Sequence, residues 1–499
     1  MTIPSNIRLL IAGLATLCIV IHHNDEVKAA DRPNVLMIAV DDLRPELACF
    51  GASHIHSPNI DRLAQSGVRF HRAYCQVAVC GASRASLMSG CRPETTQCWD
   101  YKTPLRAKMP EVLTLPQHFR NNGYETTFLG KVYHSRTDDP QGWSLSADSI
   151  APADRNKGKG YVLPRAPLPK QRSAKANQKT GPAFENGGDV PDDAYTDGHT
   201  ADRAVKVMQH LATQDKPFFF AVGFLKPHLP FNAPAKYWDL YDRSSIQIPS
   251  REDVIDGVPY AGSGWGELKN YPGIPNNVPY LDDELSAELI HGYYAAVSYT
   301  DAQVGKLLDE LDRLNLRENT IVVLWGDHGW YVGDFGDWCK HTNYEIATRV
   351  PLIVSAPGIT DNQESKALVE FVDIFPTLSE LANLEIPEHC HGQSFVPVLN
   401  EPDREWKQAA FSQYRKSKPP GTPMLGTSIR TNQFRYTEWR HRDTGELDAI
   451  ELIDFESDPG ATRNVAADAA YAQFLPELAE LCAESGKGVR AQSVATSSP

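Results

Sequence analysis

The chain has 499 residues, 41% hydrophobic and 22% charged, a balance that excludes a disordered or fibrous protein and a small disulfide-stapled scaffold. Its 49 Lys and Arg stand against 63 Asp and Glu, a formal net charge of −14. This argues against general nucleic-acid binding and a polybasic membrane surface, so an anionic ligand has to be held by a local cluster of cations.

Arg8, the apolar run 9–21 and the small-residue site at 27–30 read as the three regions of an export signal. Residues 1–29 are therefore expected to be removed and the protein to be periplasmic or secreted. The run falls short of the roughly 20 apolar residues that span a bilayer, so no stable membrane anchor is expected. Short apolar runs at 35–40, 126–129, 218–224, 320–325 and 350–354 are rich in β-branched or aromatic residues and predict buried strands. Val304, Leu307, Leu308, Leu311 and Leu314 keep helical spacing just before the 320 run. The alternation predicts an α/β fold, with a large, mostly parallel central sheet flanked by helices, in a catalytic domain over 30–400.

Within that domain the periodicity disappears over 151–192. Arg155, Lys157, Lys159, Arg165, Lys170, Arg172, Lys175 and Lys179 mark a basic surface insertion there, either a solvated loop or a flap that meets an anionic polymer. Strand-like pieces at 408–414, 427–439 and 449–455 predict a smaller C-terminal α+β subdomain over 401–485 with an antiparallel sheet. The Gly/Ser/Ala/Thr tail, 486–499, is predicted disordered.

Ligands of a doubly wound sheet bind outside the carboxyl ends of its strands. The residues after the predicted strands are Asp41-Asp42, then Gly130-Lys131 with His134, then Lys226-Pro227-His228, then Asp327-His328. Each alone reads as a turn, a cap or a satisfied polar group. Together, three carboxylates from two strands would repel unless a cation sat between them. An oxygen-rich set suits calcium or magnesium, and His328 leaves zinc or manganese open. In the segment 75–90, CQVAVCGASRASLMSG, a helix opening at Cys80 would put the cysteine at its positive end. There it would be an activated thiolate or, once modified, would hold an anionic group; the alternatives are a buried structural cysteine or half of a disulfide.

CGASRASLMSG matches the signature C-x-[PA]-S-R-x-x-L-x-[ST]-G at every specified position. On this stretch the chain resembles the type I sulfatases of the alkaline phosphatase superfamily. Asp327-His328, where many members have Asp-Asn, together with GKVYH at 130–134, KPHLPF at 226–231 and GDHGWYVGDFGDWCKHTNYEIATRVPLI at 326–353, is similar to the iduronate-2-sulfatase branch. So are FSQYRK at 411–416, TSIRTNQFRYTEW at 427–439 and IELIDFESDP at 450–459.

The resemblance implies that a formylglycine-generating enzyme converts Cys80 to Cα-formylglycine, and that Asp41, Asp42, Asp327, His328 and the modified residue 80 hold Ca2+, with Mg2+ the second choice. It implies that a hydroxyl of the hydrated aldehyde attacks sulfur, the alcohol leaves, and collapse of the second hydroxyl expels sulfate. His134 is the candidate base, and Arg84 hydrogen-bonds the diol. Lys131 and Lys340 bind sulfate oxygens, and His228 binds sulfate or protonates the leaving oxygen. The implied activity is a sulfuric ester hydrolase acting on a sulfated carbohydrate, with a 2-O-sulfated uronate expected. A uronate carboxylate needs a further cation, for which His341, Arg349 and the basic insertion are candidates. The alternatives are a phosphodiesterase or phosphonate hydrolase of the same superfamily, and a non-enzymatic polysaccharide-binding protein, which the complete set of catalytic positions disfavours. Of the nine cysteines, Cys91 and Cys98 are one candidate disulfide pair.

Overall fold

The computed structural model describes residues 32–135, 138–164, 181–251, 255–275 and 277–486. The expected export signal, residues 165–180 of the basic insertion and the tail from 487 lie outside them.

The five predicted strands form with their ends moved by at most one residue: β1 (Asn34–Val40), β3 (Glu125–Gly130), β4 (Phe218–Phe224), β5 (Thr320–Gly326) and β6 (Arg349–Ser355). They are joined by β2 (Val68–Tyr74) and the short β7 (Gln363–Ser365) and β8 (Val369–Glu370). The sheet order is β7-β2-β6-β5-β1-β4-β3, with β8 also on β2. The pairs among β3, β4, β1 and β5 are parallel. β6 runs antiparallel to both β5 and β2.

Alternate side chains of the central strands enter two separate cores, as the two-residue period of a strand requires. Leu36, Ile38 and Val40 face α1 (Pro58–Gln65), α4 (Thr196–Leu211) and α5 (Asp283–Arg313). Val35, Met37 and Ala39 face α2 (Cys80–Ser89), α3 (Leu115–Asn121) and α6 (Ile374–Leu381). A strand buried on both faces needs a nearly unbroken apolar run, and the sequence supplies it. The helical spacing seen at 304–314 is the end of α5, which is 31 residues long. Every residue from Leu289 to Asp301 is buried, and a helix covered all round shows no apolar stripe.

The C-terminal unit is a four-stranded antiparallel meander, β9 (Ala410–Lys418), β10 (Thr422–Arg430), β11 (Phe434–His441) and β12 (Leu447–Asp454). α7 (Leu475–Ala483) packs against it through Leu478 and Cys482. The piece expected at 427–439 is two strands: the chain reverses at Thr431, whose N–H donates to Phe434 O at 2.8 Å. A buried ionic cluster locks this unit to the main one. Lys407 Nζ meets Glu370 at 2.9 Å and Asp373 at 2.6 Å, and Arg92 meets Glu370 at 2.9 Å.

The C-terminal flank of the insertion is tied into the fold. Phe184–Asn186 pairs in parallel with Phe231–Ala233, and Glu185 accepts hydrogen bonds from Val162 N and Tyr195 Oη, each at 2.8 Å. Cys91 and Cys98 are free thiols, donating to the carbonyls of His389 and Thr96. Among the described residues no helix is long and apolar enough to cross a membrane.

Candidate active site

Strand register brings the predicted residues to one level. Val40 of β1 is opposite both Phe224 of β4 and Gly326 of β5, and Gly130 of β3 is opposite Gly223. The ladder continues one step past each strand: Asp41 N donates to Phe224 O (3.1 Å), Asp327 N to Val40 O (3.3 Å) and Lys131 N to Gly223 O (2.9 Å). Gly130 has a φ of +71°, and a Cβ there would sit 1.9 Å from Gly223 O, so only glycine lets Lys131 turn inward. Asp42 is a non-glycine residue at φ +60°. Its N–H donates to Asp327 Oδ1 at 3.0 Å, and its carbonyl accepts from Tyr293 Oη at 2.9 Å.

Cys80 opens α2 and is 3% exposed. Its Sγ lies 3.3 Å from both Lys340 Nζ and His328 Nε2. Burial, aided by Asp41, pushes the thiol pKa up to about 12. The helix end therefore does not make Cys80 a thiolate, and its Sγ marks the position of whatever replaces it. One turn on, the fully buried Arg84 spans the cluster. Nε donates to Asp327 Oδ2 and Nη2 to Asp41 Oδ1, each at 3.0 Å, and Nη1 donates to the Lys131 and Val132 carbonyls. Lys131 Nζ pairs with Asp41 Oδ2, and Lys340 Nζ with Asp42 Oδ1 at 2.7 Å. Three carboxylates thus face three fixed cations.

The pKa values of Asp41 and Asp42 move in opposite directions. Burial would raise that of Asp41, but Lys131, His228 and Arg84 hold it well below the ordinary value. Burial raises Asp42 well above it, with Lys340 opposing. Asp42 Oδ2 is buried without a hydrogen-bond partner. Asp41, Asp42, Cys80 and His228 each offer a ligand atom within 4.8 Å of one another, as do Cys80, Asp327 and His328. An orphaned carboxylate oxygen in an oxygen-rich cage fits a hard divalent cation. The ring orientation of His328 suits a ligand as well. Its Nδ1 is 3.0 Å from Gly329 O, a bond that leaves Nε2 free to face the cage.

His228 Nδ1 is 2.6 Å from Leu229 O, so its Nε2 faces inward, 3.5 Å from Glu267 Oε1, 3.9 Å from Asp42 Oδ2 and 4.0 Å from Asp41 Oδ2. Burial brings its pKa down to about 4. His134 is half-buried beside Tyr101, with ring centroids 5.3 Å apart. Burial and Lys131 bring its pKa down to about 4, and its Nδ1 has no hydrogen-bond partner.

The residues expected to hold the ion and the sulfate converge on this edge, but Glu267 is a member that sequence reasoning missed. It follows no strand and lies in the irregular stretch 263–267, anchored by Trp265 Nε1 donating to Gly336 O at 2.9 Å. Its carboxylate lies 3.3 Å from Lys340 Nζ. Burial alone would raise its pKa, but His228 and Lys340 hold it below the ordinary range. Two of the candidate outer cations behave differently from expectation. Arg349 lines a separate cavity of about 600 Å³ with Arg44, Glu46, Glu345 and Arg430. Burial and Lys340 keep His341 neutral, with a pKa of about 3.

The model of the family described as Sulfatase matches residues 33–384, and that of the N-sulphoglucosamine sulphohydrolase C-terminal region matches residues 326–487. The chain is 32% identical to iduronate 2-sulfatase of Mus musculus, over 93% of this chain and 96% of that one. It is 25% identical to N-acetylglucosamine-6-O-sulfatase of Bacteroides thetaiotaomicron, over 97% and 91%. Among solved structures, the phosphonate monoester hydrolase SpPMH from Silicibacter pomeroyi has the same fold, with a TM-score of 0.72 at 24% identity over 91% of this chain and 94% of that one. A family match over most of the chain, with the signature cysteine at the centre of a strand-edge cluster of carboxylates and cations, makes this chain a member of the sulfatase family and a sulfuric ester hydrolase.

Proposed function

We propose that this protein is exported and removes sulfate from a 2-O-sulfated uronate during polysaccharide breakdown, using Ca2+ and a formylglycine made from Cys80 by a formylglycine-generating enzyme. The carrying observation is the position of Cys80 Sγ, in reach of Lys340 and His328 at the head of α2. The likeness to iduronate 2-sulfatase supports the substrate.

Asp41, Asp42, Asp327 and His328, with residue 80, would hold the ion, which when bound withdraws charge from sulfate oxygens and the attacking hydroxyl. The hydrated aldehyde supplies an oxygen nucleophile where Sγ lies. Arg84 keeps Asp41 and Asp327 at fixed separation, so the cage needs no reorganisation when sulfate arrives. Lys340, already touching the residue-80 position, donates to an oxygen there, and Lys131 neutralises charge beside Asp41. His134 is neutral with a bare nitrogen and is suited to take a proton from the residue-80 hydroxyl. His228 faces the same space and meets the leaving oxygen. The catalytic unit is 30–400, and 401–485 forms its C-terminal partner.

The test is sulfate release by protein co-expressed with the converting enzyme, supplied with defined sulfated uronate, hexosamine and galactose oligosaccharides and with matched aryl sulfate, phosphate and phosphonate esters. Fastest turnover of the uronate is expected. Faster turnover of the phosphate or phosphonate ester would overturn the assignment.

A further inference from the structure

The sulfate-facing cations Lys131 and Lys340 are balanced by Asp41 and Asp42, whereas Lys416, a lysine beside this site, is in no ion pair among the described residues. It comes from the C-terminal meander. Tyr414 and Lys416, two residues apart on β9, share one strand face. The Tyr414 ring is 6.2 Å from that of His341, the residue after Lys340. Lys416 Nζ lies 4.8 Å from the Tyr414 centroid and donates to Gly262 O at 2.6 Å. Gly262 immediately precedes the stretch 263–267 that carries Glu267 to Lys340. Two walls of the pocket, one from each unit of the fold, therefore meet at Lys416.

Among the described residues no carboxylate lies within 4.0 Å of Lys416 Nζ, whereas the neighbouring Lys418 pairs with Asp448 at 2.6 Å. Lys416 is partly buried. Its hydrogen bond to Gly262 O is exposed, so the ammonium is accessible to an anion, and binding one breaks no ion pair. Burial lowers its pKa to about 8, Asp337 opposing, so it remains a cation at pH 7 and below.

We propose that Lys416, with the Tyr414 ring beside it, holds a second anionic group of the substrate: a uronate carboxylate or a second sulfate on the sugar bearing the scissile ester. The assignment rests on reading the pocket as a sulfatase site. Lys416 supplies the outer cation for which Arg349, in its separate cavity, and His341, held neutral, are unsuited.

The test is calorimetric binding in a Cys80→Ala background, where no turnover occurs, using a 2-O-sulfated uronate disaccharide, D-glucosamine-2-N,6-O-disulfate and the singly charged galactose 6-sulfate. Adding Lys416→Met is expected to weaken at least one doubly anionic ligand about tenfold relative to galactose 6-sulfate, about 1.4 kcal/mol, and Lys416→Arg to restore it. Loss on the uronate alone assigns the carboxylate, and loss on the disulfate alone assigns the second sulfate. Equal losses on all three ligands, no binding of either doubly anionic ligand, or the same selective loss in Arg415→Met, which removes an equal charge from the other strand face, would overturn the subsite. If unmutated protein releases no sulfate from any ester while the binding pattern persists, the sulfatase reading fails and the subsite stands.

Discussion

Replacing Asp327 by Asn probes the cage with no change in side-chain size. Asp327 uses both oxygens: Oδ1 accepts from Asp42 N and Oδ2 from Arg84 Nε, each at 3.0 Å. An amide has one acceptor, so whichever way it is turned, its NH2 faces a donor. One charge-assisted hydrogen bond is lost, about 1.5–3 kcal/mol, and the fully buried Arg84 keeps only Asp41 as a carboxylate partner. Unfolding free energy is expected to fall by about 2–3 kcal/mol, and kcat/KM by roughly 10²–10³, the scale of losing one preorganised electrostatic element. The concentration of Ca2+ giving half-maximal activity should rise at least about tenfold. Denaturant unfolding and sulfate release across a calcium titration measure all three. Asp327→Asn with unaltered turnover and unaltered calcium dependence would refute the role of Asp327 in the cage.

Chelation of divalent ions should abolish sulfate release and lower the melting temperature, and Ca2+ should restore both; an ion at 100 times its Kd adds about 2.7 kcal/mol. A melting temperature indifferent to chelator and calcium alike contradicts an ion bound by the folded state. Lys407→Met leaves Glu370 and Asp373 buried with one cation fewer and should cost about 3–5 kcal/mol in denaturant unfolding; a loss below about 1 kcal/mol would sink the reasoning. Burial would raise the pKa of Glu370, but Arg92 and Lys407 hold it below its ordinary value. Its contribution is therefore present above the ordinary carboxylate pKa and fades as pH drops through the lowered one, a dependence the variant should weaken. His134 titrates at about 4 in the fold against an ordinary 6.5. From pH 6.5 down to 4 the unfolded chain binds a proton that the folded chain does not, and stability falls over that window. His134→Gln should flatten the slope, and identical slopes would contradict the burial argument.

The parts legible in the sequence were those whose local pattern has one structural solution. Short runs rich in β-branched and aromatic residues read as strands buried on both faces, and register then carried Asp41, Asp327, Lys131 and the 225–228 loop to one level. β2 escaped notice because Arg69, His71 and Arg72 interrupt its run, being only partly buried. The front of α5 escaped because it is covered all round. Asp42 reads as a turn residue and does adopt a left-handed φ, and it also belongs to the strand-edge cluster. Glu267 and Lys416 reach the pocket by tertiary packing alone, from an irregular loop and from a strand of the other unit, and neither leaves a spacing to read. Of the alternatives open for Cys80, the thiolate fails because the field of a helix terminus is outweighed there by dehydration and by Asp41.

The packing around α2 also constrains timing. Residues 82–90 are all buried, a Cβ on Gly81 would come within 2.7 Å of the Asp100 carbonyl, and Arg84 is tied to groups following β1, β3 and β5. A second enzyme cannot draw Cys80 into its own active site without unwinding the helix and pulling Arg84 from its carboxylates. The oxidation proposed for Cys80 therefore belongs to the nascent or still unfolded chain, before the sheet closes. On that proposal, a molecule that folds first keeps its thiol and is a correctly shaped but silent copy, which later exposure to the converting enzyme does not repair.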